Sequence, residues 1–126
     1  MQTIVSYSDD IDKAIVAHGQ WKQRLLSAIT KGTSEFSVAQ VQVDNRCDFG
    51  KWFYGLPDAV RETEHGKTVQ RLHASFHAEA ARILELALQG RIAEAEKSME
   101  PGLPYARLTG QLVIALTNWK QIIGKS

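Results

Sequence analysis

Apolar residues recur every three or four positions along most of the chain, which is the repeat of a single helix face. The first such stripe predicts a helix over about residues 8–31. Gly32 follows it, and a glycine there favours the end of a helix because it accepts a left-handed backbone conformation. The positions expected to face the core are Ile11, Ala14, Ile15, His18, Trp21, Leu25, Ala28 and Ile29.

A second stripe predicts the clearest helix, which ends at Gly90. A shorter helix over residues 92–99 follows it, and a Pro-Gly-Leu-Pro run then stops the chain and restarts it. The last helix has an apolar stripe over residues 105–123. Three long amphipathic helices with shorter ones between them predict an all-α fold, a helical bundle that forms one domain over residues 1–126. The inward positions of the second long helix are Val69, Leu72, His73, Phe76, His77, Ala80, Ile83, Leu84, Ala87 and Leu88.

The segment between the first two long helices is less regular. Phe49, Trp52 and Phe53 lie at i, i+3 and i+4, which predicts a short helix within residues 47–55 that is buried on one side. One further helical turn is expected near residues 59–63. A β-hairpin over residues 36–43 is the alternative for the preceding stretch, because several of its residues favour strands. It ranks lower, since no neighbouring run offers a partner strand.

The composition excludes several classes of protein. Fifteen basic against fourteen acidic residues leave a net charge of +1, which gives no electrostatic reason to expect a nucleic acid or an anionic membrane as the main partner. The single cysteine cannot form an internal disulfide. No run approaches the roughly 20 apolar residues that span a bilayer, and the N-terminal residues show no signal-peptide pattern. A cytoplasmic protein without a membrane span is therefore expected.

Three of the four histidines fall on the predicted core stripes. His18 lies on the first long helix, and His73 and His77 are i, i+4 neighbours on the second. Cys47 begins the aromatic segment. A buried histidine is often only a hydrogen-bonded core residue, and a lone cysteine a small buried hydrophobe. However, each buried imidazole needs a polar partner, and one divalent ion satisfies all of them at once. Three imidazoles and one thiolate favour tetrahedral Zn²⁺, so we expect the bundle to surround a buried metal site.

His65 is the histidine that lies outside the stripes, in the polar run Arg61-Glu62-Thr63-Glu64-His65-Gly66. It is expected in a solvated loop or at the start of a helix. Glu62 and His65 do match the Glu-x-x-His element of di-iron bundles, which requires two such elements. No second one is present, because Ile, Gln and Ala occupy the positions three residues before the other histidines. The di-iron interpretation is therefore rejected.

Three motifs resemble the chemoreceptor zinc-binding (CZB) family. They are Ala17-His18-Gly19-Gln20-Trp21, Cys47-Asp48-Phe49-Gly50-Lys51-Trp52 and His73-Ala74-Ser75-Phe76-His77, in the family's order H…CxFGxW…HxxxH. The likeness runs from about Asp10 to Trp119. It implies a zinc site formed by His18, Cys47, His73 and His77, and a homodimer. It also implies sensing of zinc or of oxidants such as hypochlorous acid, as in bacterial chemotaxis or cyclic-di-GMP signalling.

A site of this kind suits sensing better than catalysis. Four protein ligands leave no open position for water, so we expect no enzymatic activity. Zinc holds Cys47 as a thiolate, the form that oxidants attack, and its oxidation would change helix packing. A purely structural zinc site in a dimeric interaction domain is the alternative. Asp48 is a candidate acceptor near the metal, with surface solvation as its other role, and exposed apolar residues such as Val16 or Val113 are candidates for a dimer face.

Overall fold

A computed structural model describes residues 7–45 and 47–123. These residues form seven helices and no strands, which confirms the predicted all-α bundle. Three of the helices are long, at 25, 25 and 20 residues. In chain order the helices are α1 (Tyr7–Lys31), α2 (Val38–Gln42), α3 (Asp48–Tyr54), α4 (Asp58–Arg61), α5 (Glu64–Leu88), α6 (Ile92–Ser98) and α7 (Pro104–Ile123).

The three long helices pack against one another and form the body of the bundle. α5 is central, because it contacts α1, α2, α4, α6 and α7. Gly32 and Gly90, which follow α1 and α5, have φ angles of 73° and 77°, the left-handed conformation expected at helix ends. The predicted stripes supply most of the core, including Leu25 and Trp119, which are fully buried. Leu88 was predicted to face inward but is 40% exposed, because it lies in the last turn of α5. No helix in the described part of the chain has the length and apolar content needed to cross a bilayer.

The segment between α1 and α5 is helical, so the β-hairpin alternative for residues 36–43 is wrong. Ser37 caps α2: its hydroxyl accepts a hydrogen bond from the Gln40 amide, and the Gln40 side chain accepts one from the Ser37 amide. This reciprocal capping box stabilises a helix start and outweighs the strand preference of the valines. α2 packs on α5, and α3 packs on α1. The two short helices therefore lie against the long ones.

Candidate metal centre

Two long helices bring three histidines to one place in the core. His18 comes from α1, and His73 and His77 lie one turn apart on α5. All three are at most 3% exposed. The ring centroids of His73 and His77 are 4.5 Å apart, and those of His18 and His73 are 4.8 Å apart. The helical periodicity thus placed all three imidazoles correctly on the inner faces.

Cys47 reaches the histidines from a third direction. We call α2, α3 and the described residues between them (43–45 and 47) the Cys47 arm. Cys47 is the N-cap of α3, and its Sγ accepts a hydrogen bond of 3.3 Å from the Gly50 amide. The same Sγ lies 3.4 Å from Nε2 of His73. The thiol is partly buried, so it is less enclosed than the three imidazoles.

Gly50 allows the Cys47 arm to fold tightly. A Cβ atom at this position would lie 1.8 Å from the carbonyl oxygen of Asp44, which is far inside van der Waals contact. Only glycine therefore lets the chain before Cys47 approach the first turn of α3. This close approach explains the glycine of the Cys-Asp-Phe-Gly motif, and it holds Cys47 at the start of α3.

The four side chains form a compact donor cluster. One ligand atom from each of His18, Cys47, His73 and His77 lies within 4.8 Å of the other three. Tetrahedral zinc with bonds of about 2.0–2.3 Å needs donor atoms roughly 3.3–3.7 Å apart. Side-chain adjustments of about 1 Å would therefore complete such a site. Imidazole and thiolate donors suit zinc much better than Mg²⁺ or Ca²⁺, which prefer oxygen.

Backbone carbonyls fix the ring orientation of two of the histidines. Nδ1 of His18 lies 2.7 Å from the carbonyl oxygen of Ala14, and Nδ1 of His77 lies 2.9 Å from that of Val41. Because a carbonyl oxygen only accepts, each Nδ1 must carry the proton and each Nε2 presents a lone pair. Nε2 of His18 is buried without a hydrogen-bond partner among the described residues. A buried lone pair of this kind fits a metal ligand.

The third histidine faces a carboxylate instead of a carbonyl. Nδ1 of His73 lies 4.0 Å from Oδ2 of Asp44, and the Tyr54 hydroxyl donates a hydrogen bond of 2.7 Å to the same oxygen. Nε2 of His73 lies 3.0 Å from Nε2 of His77. Two ring nitrogens at this distance share at most one proton, and a metal ion between the donors would remove the conflict.

Burial keeps the imidazoles neutral and the thiol protonated when no ion is bound. Burial lowers the pKa of His18 to about 4 and that of His73 to about 2, in the second case with help from the two neighbouring histidines. Burial also lowers the pKa of His77. For Cys47 burial raises the thiol pKa, against the opposing effect of the Gly50 and Phe49 amides. The histidines are therefore ready to bind a cation at neutral pH, whereas Cys47 must first lose a proton.

A cavity of about 630 Å³ connects the cluster with the surface between α1 and the Cys47 arm. His18, Cys47 and His77 contribute to its inner end, and Trp21 and Trp52 contribute to its walls. Ions and small molecules can thus reach the thiol without opening the bundle.

Other residues singled out from the sequence lie away from the cluster or differ from expectation. His65 is exposed in the first turn of α5, as predicted. Asp48 is also exposed, and the carboxylate near the histidines belongs to Asp44. No periodic pattern marks Asp44, because its position depends on how the arm folds. Val16 is 61% exposed, whereas Val113 is half-buried and its neighbour Ile114 is 62% exposed.

The fold and the donor cluster define a helical metal-binding domain. The family model of the chemoreceptor zinc-binding domain matches residues 18–84, more than half of the chain. The match begins at His18 and includes Cys47, His73 and His77, and it ends before α6 and α7. No curated protein and no solved structure shows significant similarity to the chain.

The chain therefore belongs to the chemoreceptor zinc-binding domain family. Family membership and the cluster of three histidines and one cysteine together identify Zn²⁺ as its cofactor. The likeness expected for the C-terminal part, up to Trp119, lies outside the matched residues and stays a prediction.

Proposed function

We propose that residues 1–126 form a zinc-sensing domain that binds the ion through His18, Cys47, His73 and His77. One observation carries the proposal: the donor atoms of these side chains lie within 4.8 Å of one another in the core. The Nδ1 contacts of His18 and His77 support it, because they direct each Nε2 lone pair toward the cluster.

The chain's own residues then divide the work of the site. His18, His73 and His77 hold their rings on two long helices, and Cys47 joins these helices to the arm. Bound zinc would lower the pKa of the thiol and supply a cation that keeps Cys47 as a thiolate. Four protein donors complete a tetrahedral set without a position for water, so the proposed role is non-catalytic.

Movement of the Cys47 arm is the proposed signal. The Cys47 thiolate is the arm's direct ligand to the metal. Loss of the sulfur–zinc bond would release the first turn of α3. Phe49 lies in this first turn, and its ring centroid is 4.8 Å from that of His73 and 5.9 Å from that of His18. Release of the turn would therefore let Phe49 move away from both histidines. Trp52 packs on Trp119 of α7 with centroids 6.0 Å apart. A shift of α3 would therefore reach both α5 and α7.

Two stimuli can produce this change. Falling zinc availability would leave Cys47 protonated and unbound. Alternatively, hypochlorous acid that enters through the cavity would oxidise the thiolate. In that step an S–O bond forms and the O–Cl bond breaks, sulfur loses two electrons, and they leave with chloride. The sulfenic acid that results is a poorer ligand than the thiolate. The family description as a chemoreceptor domain supports an output in bacterial chemotaxis. From the family resemblance we also propose cyclic-di-GMP signalling as an alternative output and a cytoplasmic homodimer as the working form.

Metal analysis and controlled oxidation test this proposal. The purified protein should contain about one zinc per chain, and Cys47→Ala should bind zinc far more weakly. Hypochlorous acid should release zinc from the wild type while hydrogen exchange speeds up in α3 before α5. A wild type without zinc, or full zinc retention in Cys47→Ala, would contradict the metal site.

A purely structural zinc site is the second candidate. The near-complete burial of all three histidines favours it, because closed four-ligand sites are typical of structural zinc. The same experiment separates the two functions. A structural site would keep its zinc under mild oxidation, and the exchange of α3 amides would stay unchanged.

A further inference from the structure

A short chain of polar contacts runs from the surface to His73. The Gln70 amide donates a hydrogen bond of 3.3 Å to the Tyr54 hydroxyl, and this hydroxyl donates one of 2.7 Å to Oδ2 of Asp44. The same Oδ2 faces Nδ1 of His73 at 4.0 Å. The contacts join the C-terminal end of α3, the residues after α2 and the metal-binding face of α5.

The three histidines differ in the acceptor that faces Nδ1, and this difference indicates what the polar contacts do. His18 and His77 each have a backbone carbonyl against Nδ1, at 2.7 and 2.9 Å. For His73 the acceptor that faces Nδ1 is the Asp44 carboxylate, whose side chain is 19% exposed. The distance exceeds a hydrogen bond by about 1 Å, which a small side-chain rotation can close. His73 is thus the histidine whose orientation depends on a side chain.

The backbone and the side chain of Asp44 are both held in place. Its carbonyl oxygen lies where a side chain at position 50 would have to pass, so the backbone is fixed against α3. Its carboxylate is fixed by Tyr54, and the Tyr54 carbonyl oxygen accepts a hydrogen bond of 3.3 Å from Arg61. The carboxylate therefore has a defined position next to the imidazole.

We propose that Asp44 is a positioning residue for His73. Its carboxylate, held by Tyr54, accepts a hydrogen bond from Nδ1–H of His73 and so directs Nε2 toward the metal. This inference rests on the proposed zinc site. A carboxylate in this role makes the imidazole a stronger metal ligand. Its negative charge also offsets the positive charge that remains when one thiolate binds a divalent ion. Asp44 thereby links zinc affinity to the fold of the Cys47 arm.

Zinc affinity measured by chelator competition gives the first test. Asp44→Ala should weaken zinc binding about 10–100-fold, as is typical when an acceptor behind a metal ligand is removed. Asp44→Asn, which keeps an oxygen acceptor but no charge, should give a smaller loss, and Tyr54→Phe the smallest. Asp48→Ala is the matched control, because it removes an exposed carboxylate next to Cys47. An Asp44→Ala affinity within twofold of the control overturns the proposal.

The histidine tautomers in the zinc-free protein give a second test that does not depend on metal. Nitrogen-15 NMR should show the proton of His73 shared in the wild type between Nδ1, which faces Asp44, and Nε2, which faces the lone pair of His77 Nε2. In Asp44→Ala the proton should move to Nε2. His18 and His77 should not change, because their carbonyl acceptors remain. An unchanged His73 tautomer overturns the proposal. If Asp44→Ala does not fold, Asp44→Leu, which has a similar shape but no acceptor, serves for the same measurements. A wild type that binds no zinc would contradict the proposed function instead, while the tautomer result would stand.

Discussion

The two parts of the candidate metal centre are built very differently. The three histidines lie on α1 and α5, each 25 residues long and packed into the core of the bundle. Cys47 lies on an arm whose two helices have five and seven residues. Isolated helices shorter than about 12–15 residues are marginal in water, so the arm depends on its tertiary contacts.

α2 packs on α5 through Val41, and aromatic side chains make the contacts of α3. Phe49 packs against His18 and His73, and Phe53 and Trp52 pack against Trp119. The long helices would keep their shape without a ligand, whereas α2 and α3 depend on their caps and on packing against α5 and α1. Because the long helices and the Cys47 arm are packed so differently, a metal ion at this site would stabilise them unequally. It would add little to the helices that already pack well and much to the segment that holds the cysteine.

The largest expected effect is the stabilisation by zinc itself. At free zinc a thousandfold above Kd, the free energy of unfolding should rise by about 4 kcal/mol. Cys47→Ser should lose this gain and weaken zinc binding more than the roughly 10–100-fold typical of changes behind the ligands. Its zinc-free stability should stay close to that of the wild type, because serine is a good N-cap for α3. Urea unfolding with and without zinc measures both quantities.

His77→Ala is the matched variant from the long helices. It should also abolish the zinc effect, but it should destabilise the zinc-free protein as well, since it removes a buried side chain and its contact with the Val41 carbonyl. Equal zinc-free stability of His77→Ala and Cys47→Ser would contradict the difference between the two parts.

A pair of glycine substitutions tests the comparison at the backbone. Gly50→Ala forces a Cβ against the Asp44 carbonyl and should cost about 1–3 kcal/mol or more, with weaker zinc binding. Gly19→Ala, next to His18 within α1, meets nothing within 4 Å. It should stabilise the helix by about 0.5–1 kcal/mol and leave zinc affinity unchanged. Thermal unfolding and chelator competition give both numbers, and similar effects of the two substitutions would disprove a tightly folded arm.

Much of this comparison follows from the sequence. Regular spacing predicted the long helices and placed His18, His73 and His77 on their inner faces, because each helical position fixes a direction. The aromatic spacing after Cys47 predicted α3. The prediction failed to find the role of Asp44, since its contact with His73 depends on the path of the chain between two short helices. That path is set by the capping of α2 and by Gly50, and neither has a periodic signature.

The pH dependence of zinc binding gives the finest distinction between the two parts. The histidine pKa values are lowered, to about 4 for His18 and about 2 for His73, so these rings carry no proton at neutral pH. The Cys47 pKa is raised, so the thiol is protonated. Zinc binding should therefore displace one proton, and affinity should rise about tenfold, or 1.4 kcal/mol, per pH unit up to the thiol pKa.

The slope of this dependence identifies the groups that titrate. With ordinary histidine pKa values near 6.5, more protons would have to leave below that pH, and the slope would steepen toward four. With the lowered values it should stay near one as the pH falls below 6.5. Calorimetry in two buffers of different ionisation enthalpy counts the protons directly, and Cys47→Ser, if enough affinity remains, should release none. A steep slope below pH 6.5 would show that the histidines carry protons there, as solvent-exposed imidazoles do. The distinction between buried histidines and the Cys47 arm would then fail.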